Sequence, residues 1–280
     1  MGVTSRLVKL NAPIPKKRFG QHFLRDRGVI DRIVRWIQPS PNDIFLEIGA
    51  GDGALSQCIA PGVSSLLAIE LDTDCIPPLQ NALAGFPSAA VIEGDILQLD
   101  LRQIVSPCLT PGAKLRVTGN LPYNISTVII DKLLNLDLPI EDMTFMVQLE
   151  VAQRITAVPA TRDYGYFSLV CQHRADVRLG FKVSPACFVP RPKVSSATVS
   201  FRLKPKTWDE TMEADFQMLG KAAFGYRRKT LENSLSRHAV AGKVTSLLLT
   251  RAGIDGWRRA EELSVQEYEH LAQTFHILKL

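Results

Sequence analysis

The sequence predicts an α/β fold: a mostly parallel sheet with an antiparallel edge and helices on both faces, followed by a small C-terminal helical domain. Three observations carry this expectation. Strand-length apolar runs alternate with helix-length segments from residue 43 to about 203, the rhythm of βαβ units. Near Tyr166 that alternation gives way to strand-like runs with little between them. Beyond Lys204-Pro205-Lys206 the periodicity is helical to the end.

The buried strands are read at Asp43–Ile48, Ser65–Ile69, Ala89–Ile92, Leu115–Thr118 and Met143–Val147. Between them fall helical stretches at Gly53–Ala60, Asp72–Ala84, Ser126–Leu136 and Leu149–Ala157. Asp72 and Ser126 suit N-caps, and Pro61 and Pro87 act as stops. Phe167–His173, Asp176–Val183 and Ala197–Leu203 are read as the antiparallel edge strands. The tail is read as helices at Thr211–Phe224, Lys229–Arg237, Val244–Ala252 and Val265–His276. The expected domains are a basic arm over 1–36, a ligand-binding α/β domain over 37–205 and a helical domain over 206–280.

With 46% hydrophobic and 22% charged residues, the chain has the composition of a globular protein that can bury a core. No apolar run approaches the roughly 18 residues of a membrane span. The N-terminal cations precede no apolar segment, so a cytosolic, membrane-free protein is expected, with a short organellar transit peptide as the alternative. Five widely spaced cysteines form no C-x-x-C pair, and the five histidines form no H-E-x-x-H. Reduced thiols and no metal are therefore expected, and a monomer is expected because nothing in the sequence demands a larger assembly.

Charge is unevenly distributed. Residues 1–36 hold nine Lys/Arg against Asp26 and Asp31, a net of +7, although the whole chain carries only +5. The block Lys16-Lys17-Arg18 beside Phe19 suits a phosphate backbone, or else a solvated tail.

Glu47-Ile48-Gly49-Ala50-Gly51-Asp52-Gly53 follows the first strand and opens a helix. Glycines there permit a tight turn and close approach of a ligand to backbone N–H groups. Glu70 closes the next strand about 20 residues later, where a carboxylate can accept bonds from ribose hydroxyls. The loop alone does not choose the ligand, because Gly49, Gly51 and Ala54 also fit a dinucleotide fingerprint. Asp95, after the third strand, is either an acceptor for an adenine amine or a cap.

Asn120-Leu121-Pro122-Tyr123 follows the fourth strand. An adenine amine is a weak nucleophile because its lone pair is delocalised into the ring. The Asn120 side-chain oxygen and the Leu121 carbonyl could accept both amine hydrogens and free that lone pair. Pro122 fixes the backbone and brings no competing N–H, and Tyr123 offers a ring for an extruded base. An ordinary turn is the alternative reading.

These residues resemble motif IV of amino-methyltransferases, and their surroundings resemble the ribosomal RNA adenine dimethyltransferases of the KsgA type. The matching runs are Lys17–Leu24 (KRFGQHFL), Gly119–Ser126 (GNLPYNIS), Phe145–Gln148 with Glu150-Val151, Tyr164-Gly165, Phe188–Val194 (FVPRPKV), and Ala223-Phe224 with Arg227–Leu231 (RRKTL). The resemblance implies a Rossmann-like class I methyltransferase sheet and S-adenosyl-L-methionine as cofactor. His22, Leu24, Gly49, Gly51, Glu70, Asp95 and Asn120 would then be its contacts. His22 stands where many such enzymes have Asn. The family likeness also makes Phe188 the aromatic opposite Tyr123; the residues alone read it as packing. Arg227, Arg228 and Lys229, otherwise a solvated helix face, become RNA contacts with Lys16, Lys17 and Arg18.

The implied reaction is dimethylation of the N6 amines of two adjacent adenosines near the 3′ end of small-subunit rRNA, within a pre-30S particle and with a role in its biogenesis. The alternatives are a large-subunit enzyme of the antibiotic-resistance type and an assembly or transcription factor on a methyltransferase scaffold.

Overall fold

The computed structural model describes residues 13–16, 19–226, 228–238 and 242–278, except the side chains at positions 238, 242 and 243. The strands are β1 (Phe23–Leu24), β2 (Asp43–Ile48), β3 (Ser65–Glu70), β4 (Ala89–Glu93), β5 (Lys114–Asn120), β6 (Ile140–Gln148), β7 (Ala175–Val183), β8 (Phe188–Val189) and β9 (Ser196–Leu203). Seven of them form one sheet in the order β4-β3-β2-β5-β6-β9-β7, and β1 and β8 form a separate antiparallel ribbon. From β4 to β6 every pairing is parallel. The Leu149 N–H then donates to the Ser195 carbonyl at 2.9 Å, so the end of β6 meets the start of β9 and the edge turns antiparallel. β2 is buried at all six positions, as a strand covered on both faces must be.

The helices are α1 (Arg27–Ile37), α2 (Ser56–Ile59), α3 (Ile76–Leu83), α4 (Leu101–Val105), α5 (Ser126–Asn135), α6 (Leu149–Ile155), α7 (Tyr166–Arg174), α8 (Glu210–Phe224), α9 (Leu231–His238), α10 (Gly242–Arg251) and α11 (Val265–Leu278). Their starts follow capping chemistry. Asp26 accepts from the Val29 N–H at 3.0 Å to begin α1, and Asp209 accepts from Met212 at 2.8 Å to begin α8.

Several expectations are corrected. Phe167–His173, read as a strand, is the helix α7. Its Ser168, Leu169, Val170 and Cys171 are buried consecutively, so burial all round leaves no 3.6-residue stripe to read. The Gly165 N–H donates to Ser168 Oγ at 3.0 Å and seats the first turn. The antiparallel edge is thus β9 and β7 alone. The end of the arm expected over 1–36 is helical: α1 runs Arg27–Ile37, and its Ile30, Ile33 and Ile37 enter the core at helical spacing. The helix expected over Gly53–Ala60 shrinks to α2, because Gly51 and Gly53 hold positive φ and keep the chain in a loop. α4 and the β1–β8 ribbon were not anticipated.

The chain folds into two compact units. One comprises residues through Leu149 with Gly180–Ser200; the other comprises Glu150–Leu179 with Phe201 onward. The first contains the β1–β8 ribbon and a core that includes Phe45, Leu66, Ile59 and Phe181. The second is built around Leu169, Phe216, Leu235, Leu248, Tyr268 and Leu271. Its membership is discontinuous: α6 and α7 join the C-terminal helices, so the helical body is larger than the 206–280 tail.

Within the first unit β2 and β5 approach so closely at one point that only glycine fits. A Cβ on Gly119 would lie 2.3 Å from the Ile48 carbonyl oxygen. This contact brings the glycine loop after β2 alongside Asn120 at the end of β5.

Candidate active site

The carboxyl ends of β2, β3, β4 and β5 open onto one cavity of 290 Å³, which is where parallel α/β sheets hold ligands. Each wall comes from the residues that follow a strand.

After β2, Gly49 and Gly51 hold φ of +68° and +59°, backbone conformations that side chains strain. The N–H groups of Gly49 and Ala50 donate to the Ile69 carbonyl at 2.9 and 3.1 Å, tying the loop to β3. Glu70 Oε2 accepts from the Gly51 N–H at 2.7 Å, and its Oε1 accepts from Leu71 and Asp72 at 2.8 Å each. Burial raises the Glu70 carboxyl pKa, and these three N–H groups pull it back. The carboxylate is therefore held in one orientation, with acceptor capacity left over.

After β4, Asp95 makes the capping bond and faces the cavity. Its Oδ1 accepts from the Leu97 N–H at 2.9 Å, and the residue lines the cavity.

After β5, the Asn120 amide nitrogen donates to the His22 carbonyl at 2.8 Å, while its Oδ1 is buried and has no partner. A buried carbonyl oxygen without a donor costs free energy, so its retention at a cavity wall points to a bond made in a complex. Leu121 is anchored by its N–H to the Met146 carbonyl at 3.1 Å. Leu121, Pro122 and Tyr123 continue the wall. The Tyr123 hydroxyl bonds Ser196 Oγ at 2.6 Å, and burial raises its pKa.

The N-terminal segment supplies the opposite side. His22 donates from Nδ1 to the Pro190 carbonyl at 2.7 Å, and its ring stacks on Tyr123 with centroids 5.3 Å apart. Phe19, Gly20 and Gln21 also line the cavity, although the sequence reading singled out only His22 and Leu24 of this segment as ligand contacts. Gln21 Nε2 donates to Asp72 Oδ2 at 2.7 Å, and Lys16 Nζ pairs with Asp72 and Asp74. Burial raises the Asp72 pKa, but Lys16 and Gln21 outweigh it and hold the carboxyl below its usual range. The signal for these residues was the unbroken run around His22.

Two expected site residues fall elsewhere. Phe188 is 2% exposed, sits opposite Leu24 in the ribbon and packs into the core of the first unit. It does not line the cavity, and the ring beside Tyr123 is that of His22. Leu24 lines a separate void of 40 Å³ behind the glycine loop, together with Glu47 and Asn120. Main-chain pairing of the ribbon turns alternate side chains to opposite faces, and that register sends Leu24 inward.

Of the expected RNA contacts, Lys17, Arg18 and Arg227 lie outside the described residues. Lys16 is ion-paired within the first unit, whereas Arg228 and Lys229 are exposed in the second. All five cysteines are free. Among the described residues no His/Cys/Asp/Glu group of three or more could hold a metal, and no helix is long and apolar enough to cross a membrane.

The cavity walls contain Glu70 and Asp95 but, among the described residues, no Lys or Arg. Such a site favours a cationic, nucleoside-bearing ligand over one that buries phosphates.

The family model described as "Ribosomal RNA adenine dimethylase" matches residues 15–276. A protein of Chromohalobacter salexigens named "Ribosomal RNA small subunit methyltransferase A" is 42% identical over 266 residues, covering 92% of each chain. One of the same name from Xylella fastidiosa is 44% identical, covering 94% of this chain and 96% of the relative. Among solved structures, a dimethyladenosine transferase from Plasmodium falciparum superposes with a TM-score of 0.80 at 23% identity, covering 92% of this chain and 99% of that one. At that identity the superposition speaks for the fold.

Proposed function

Because the chain belongs to the ribosomal RNA adenine dimethylase family, we propose that it transfers methyl groups from S-adenosyl-L-methionine to the N6 amines of two adjacent adenosines of small-subunit rRNA, near its 3′ end. The observation that carries this reading is the buried Asn120 Oδ1, unpartnered at the cavity wall.

The residues present fit the cofactor. The bare glycine backbone of Gly49 and Gly51, the fixed Glu70 carboxylate and Asp95 suit a nucleoside, and the two wall carboxylates suit a sulfonium. When bound, S-adenosylmethionine supplies an electrophilic methyl group. Glu70 would hold the ribose, Asp95 the adenine amine, and His22 the closing edge.

Asn120 Oδ1 and the Leu121 carbonyl accept the two hydrogens of the substrate amine, which weakens conjugation into the ring and presents the lone pair. The bond from Asn120 Nδ2 to His22 fixes which end of the amide serves as acceptor. Tyr123, steadied by Ser196, stacks the extruded base. The alkylated ammonium is acidic and releases its proton to solvent, so no strong base is required. Catalysis rests on positioning and fixed dipoles. The target is a pre-30S particle, and the protein acts as a monomer in the cytoplasm.

The test uses radiolabelled S-adenosylmethionine with unmethylated small subunits and, separately, large-subunit rRNA. Label should appear as dimethyladenosine in the small-subunit RNA. Asn120→Ala should lower the rate by about 100- to 1,000-fold, as removal of one preorganised group at a reacting centre does. Label in the large subunit alone would refute the substrate assignment, and full activity of the variant would refute the role of Asn120.

A further inference from the structure

Trp257 is 80% exposed, more than any other large apolar side chain described. Single exposed hydrophobics are common, but this indole is presented on an unusually fixed support. The Trp257 backbone N–H donates to Asp255 Oδ1 at 2.9 Å, and the Arg258 backbone N–H donates to the Asp255 carbonyl at 3.2 Å, closing a tight turn. On either side of Trp257, carbonyls of the turn satisfy the first N–H groups of α9. Leu231 donates to Arg258 at 2.7 Å and Glu232 donates to Gly256 at 3.1 Å. Gly256 leaves no slack, since a Cβ there would lie 3.1 Å from both Glu232 Cβ and Leu249 Cδ1. The Arg258 guanidinium is committed to Glu267 and to the Glu262 carbonyl.

The same backbone ladder places the indole beside a basic strip. Arg228 and Lys229 are exposed and precede Leu231 by two or three residues, and Arg259 is exposed directly after the turn. The acidic groups nearby are largely occupied: Asp255 holds the Trp257 N–H, and Glu262 Oε2 accepts from the Arg259 N–H at 3.1 Å. A rigid aromatic face bordered by cations matches a nucleotide, which offers a flat base and a phosphate on each side. Folded RNA exposes such bases in loops and at bulges.

We propose that Trp257 is a stacking platform for an unpaired nucleotide of the RNA substrate, with Arg228, Lys229 and Arg259 holding the flanking phosphates. The proposal rests on the reading of the protein as an rRNA enzyme. Rigidity favours the contact because little conformational entropy is lost on binding.

The test compares the full-length wild type with Trp257→Ala and Trp257→Phe. Affinity for unmethylated small subunits should fall about tenfold in Trp257→Ala and much less in Trp257→Phe, as loss of one base–aromatic stack implies. The salt dependence should stay unchanged, because no ion contact is removed. Thermal stability and binding of S-adenosylhomocysteine should match the wild type, since the side chain is outside both cores. A single-stranded oligoribonucleotide at low salt should quench the exposed-indole emission, the same sequence as a duplex should not, and the quench should vanish in Trp257→Phe.

Equal affinity of Trp257→Ala and wild type would overturn the platform while leaving the enzymatic reading intact. Weakened subunit binding without any quench by single strands would also overturn it, pointing to a protein of the subunit. A wild type that neither binds nor methylates small subunits would overturn both readings together.

Discussion

Glu47, next to last in the fully buried β2, carries a carboxyl on a residue that is 2% exposed, and its Oε2 has no partner. Burial pushes its pKa up to about 8, with the neighbouring Glu70 adding to the effect. The group is therefore mostly protonated in the fold at neutral pH. Its folded pKa lies above the unfolded value, so its contribution to stability is complete below about pH 4.5 and is lost as pH rises through about 8. Glu47→Gln keeps the shape and removes the titration. Denaturant unfolding across that window should show the variant gaining on the wild type as pH rises. Parallel curves would mean that the carboxyl ionises without cost. Nothing in the string EIGAG announces this, because a Glu before a glycine loop reads equally well as a ligand or a solvated group; only the covering layers decide.

α7 shows the same dependence at the scale of an element. Its His173 is gripped on both ring nitrogens, by Glu269 at 2.8 Å and Glu213 at 3.3 Å, and it stacks on Phe216. The neighbouring Arg174 also pairs with Glu213, at 2.8 Å. Burial lowers the imidazole pKa, but the two carboxylates outweigh it and raise the value. This link between α7, α8 and α11 is thus fully present below the unfolded pKa of about 6.5 and lost as pH rises through the raised folded value. His173→Gln should flatten that dependence, so wild-type stability should fall relative to the variant on going from pH 6 to pH 9. A constant difference would show that folding does not raise the imidazole pKa, and a wild type gaining on the variant would show that the imidazole is held uncharged in the fold. The helix was mistaken for a strand because its partners, Glu213 and Glu269, lie 40 and 96 residues away in sequence. A periodicity argument sees only neighbours along the chain.

For the whole molecule, net charge is a poor guide to the surface that meets RNA. The sequence concentrates its cations in the first 36 residues. In the fold, Lys16 is engaged by Asp72 and Asp74, Arg25 by Asp52, and Arg32 lies over the Phe181 ring at 3.9 Å. Lys16 and Arg25 thus already have counterions within the protein, and Arg32 has a ring face. Arg228 and Lys229 are exposed, and they are the residues we propose for the phosphate contacts. If each neutralises one phosphate, Arg228→Ala should reduce the slope of log affinity against log salt by about one, whereas Lys16→Ala should leave it unchanged. The measurement is binding to unmethylated small subunits over a range of salt. A reduced slope for Lys16→Ala would return the footprint to the N-terminal block.

The sequence by itself determined the strands of the parallel half and their parallel sense, because each βα unit is a local pattern of apolar run, turn residue and cap; their lateral order came from the fold. It gathered the candidate site for the same reason: the glycine loop, Glu70, Asp95 and Asn120–Tyr123 each lie at or after the end of a strand, and a parallel sheet delivers all such ends to one edge, where they line one cavity. Only the tertiary structure decided what depends on distant partners. It buried Phe188, put His22 on Tyr123, paired off Lys16, joined α6 and α7 to the C-terminal helices, and left Trp257 outside. Each of those outcomes is set by long-range packing and by competition for hydrogen bonds, and neither is written in the spacing of residues along the chain.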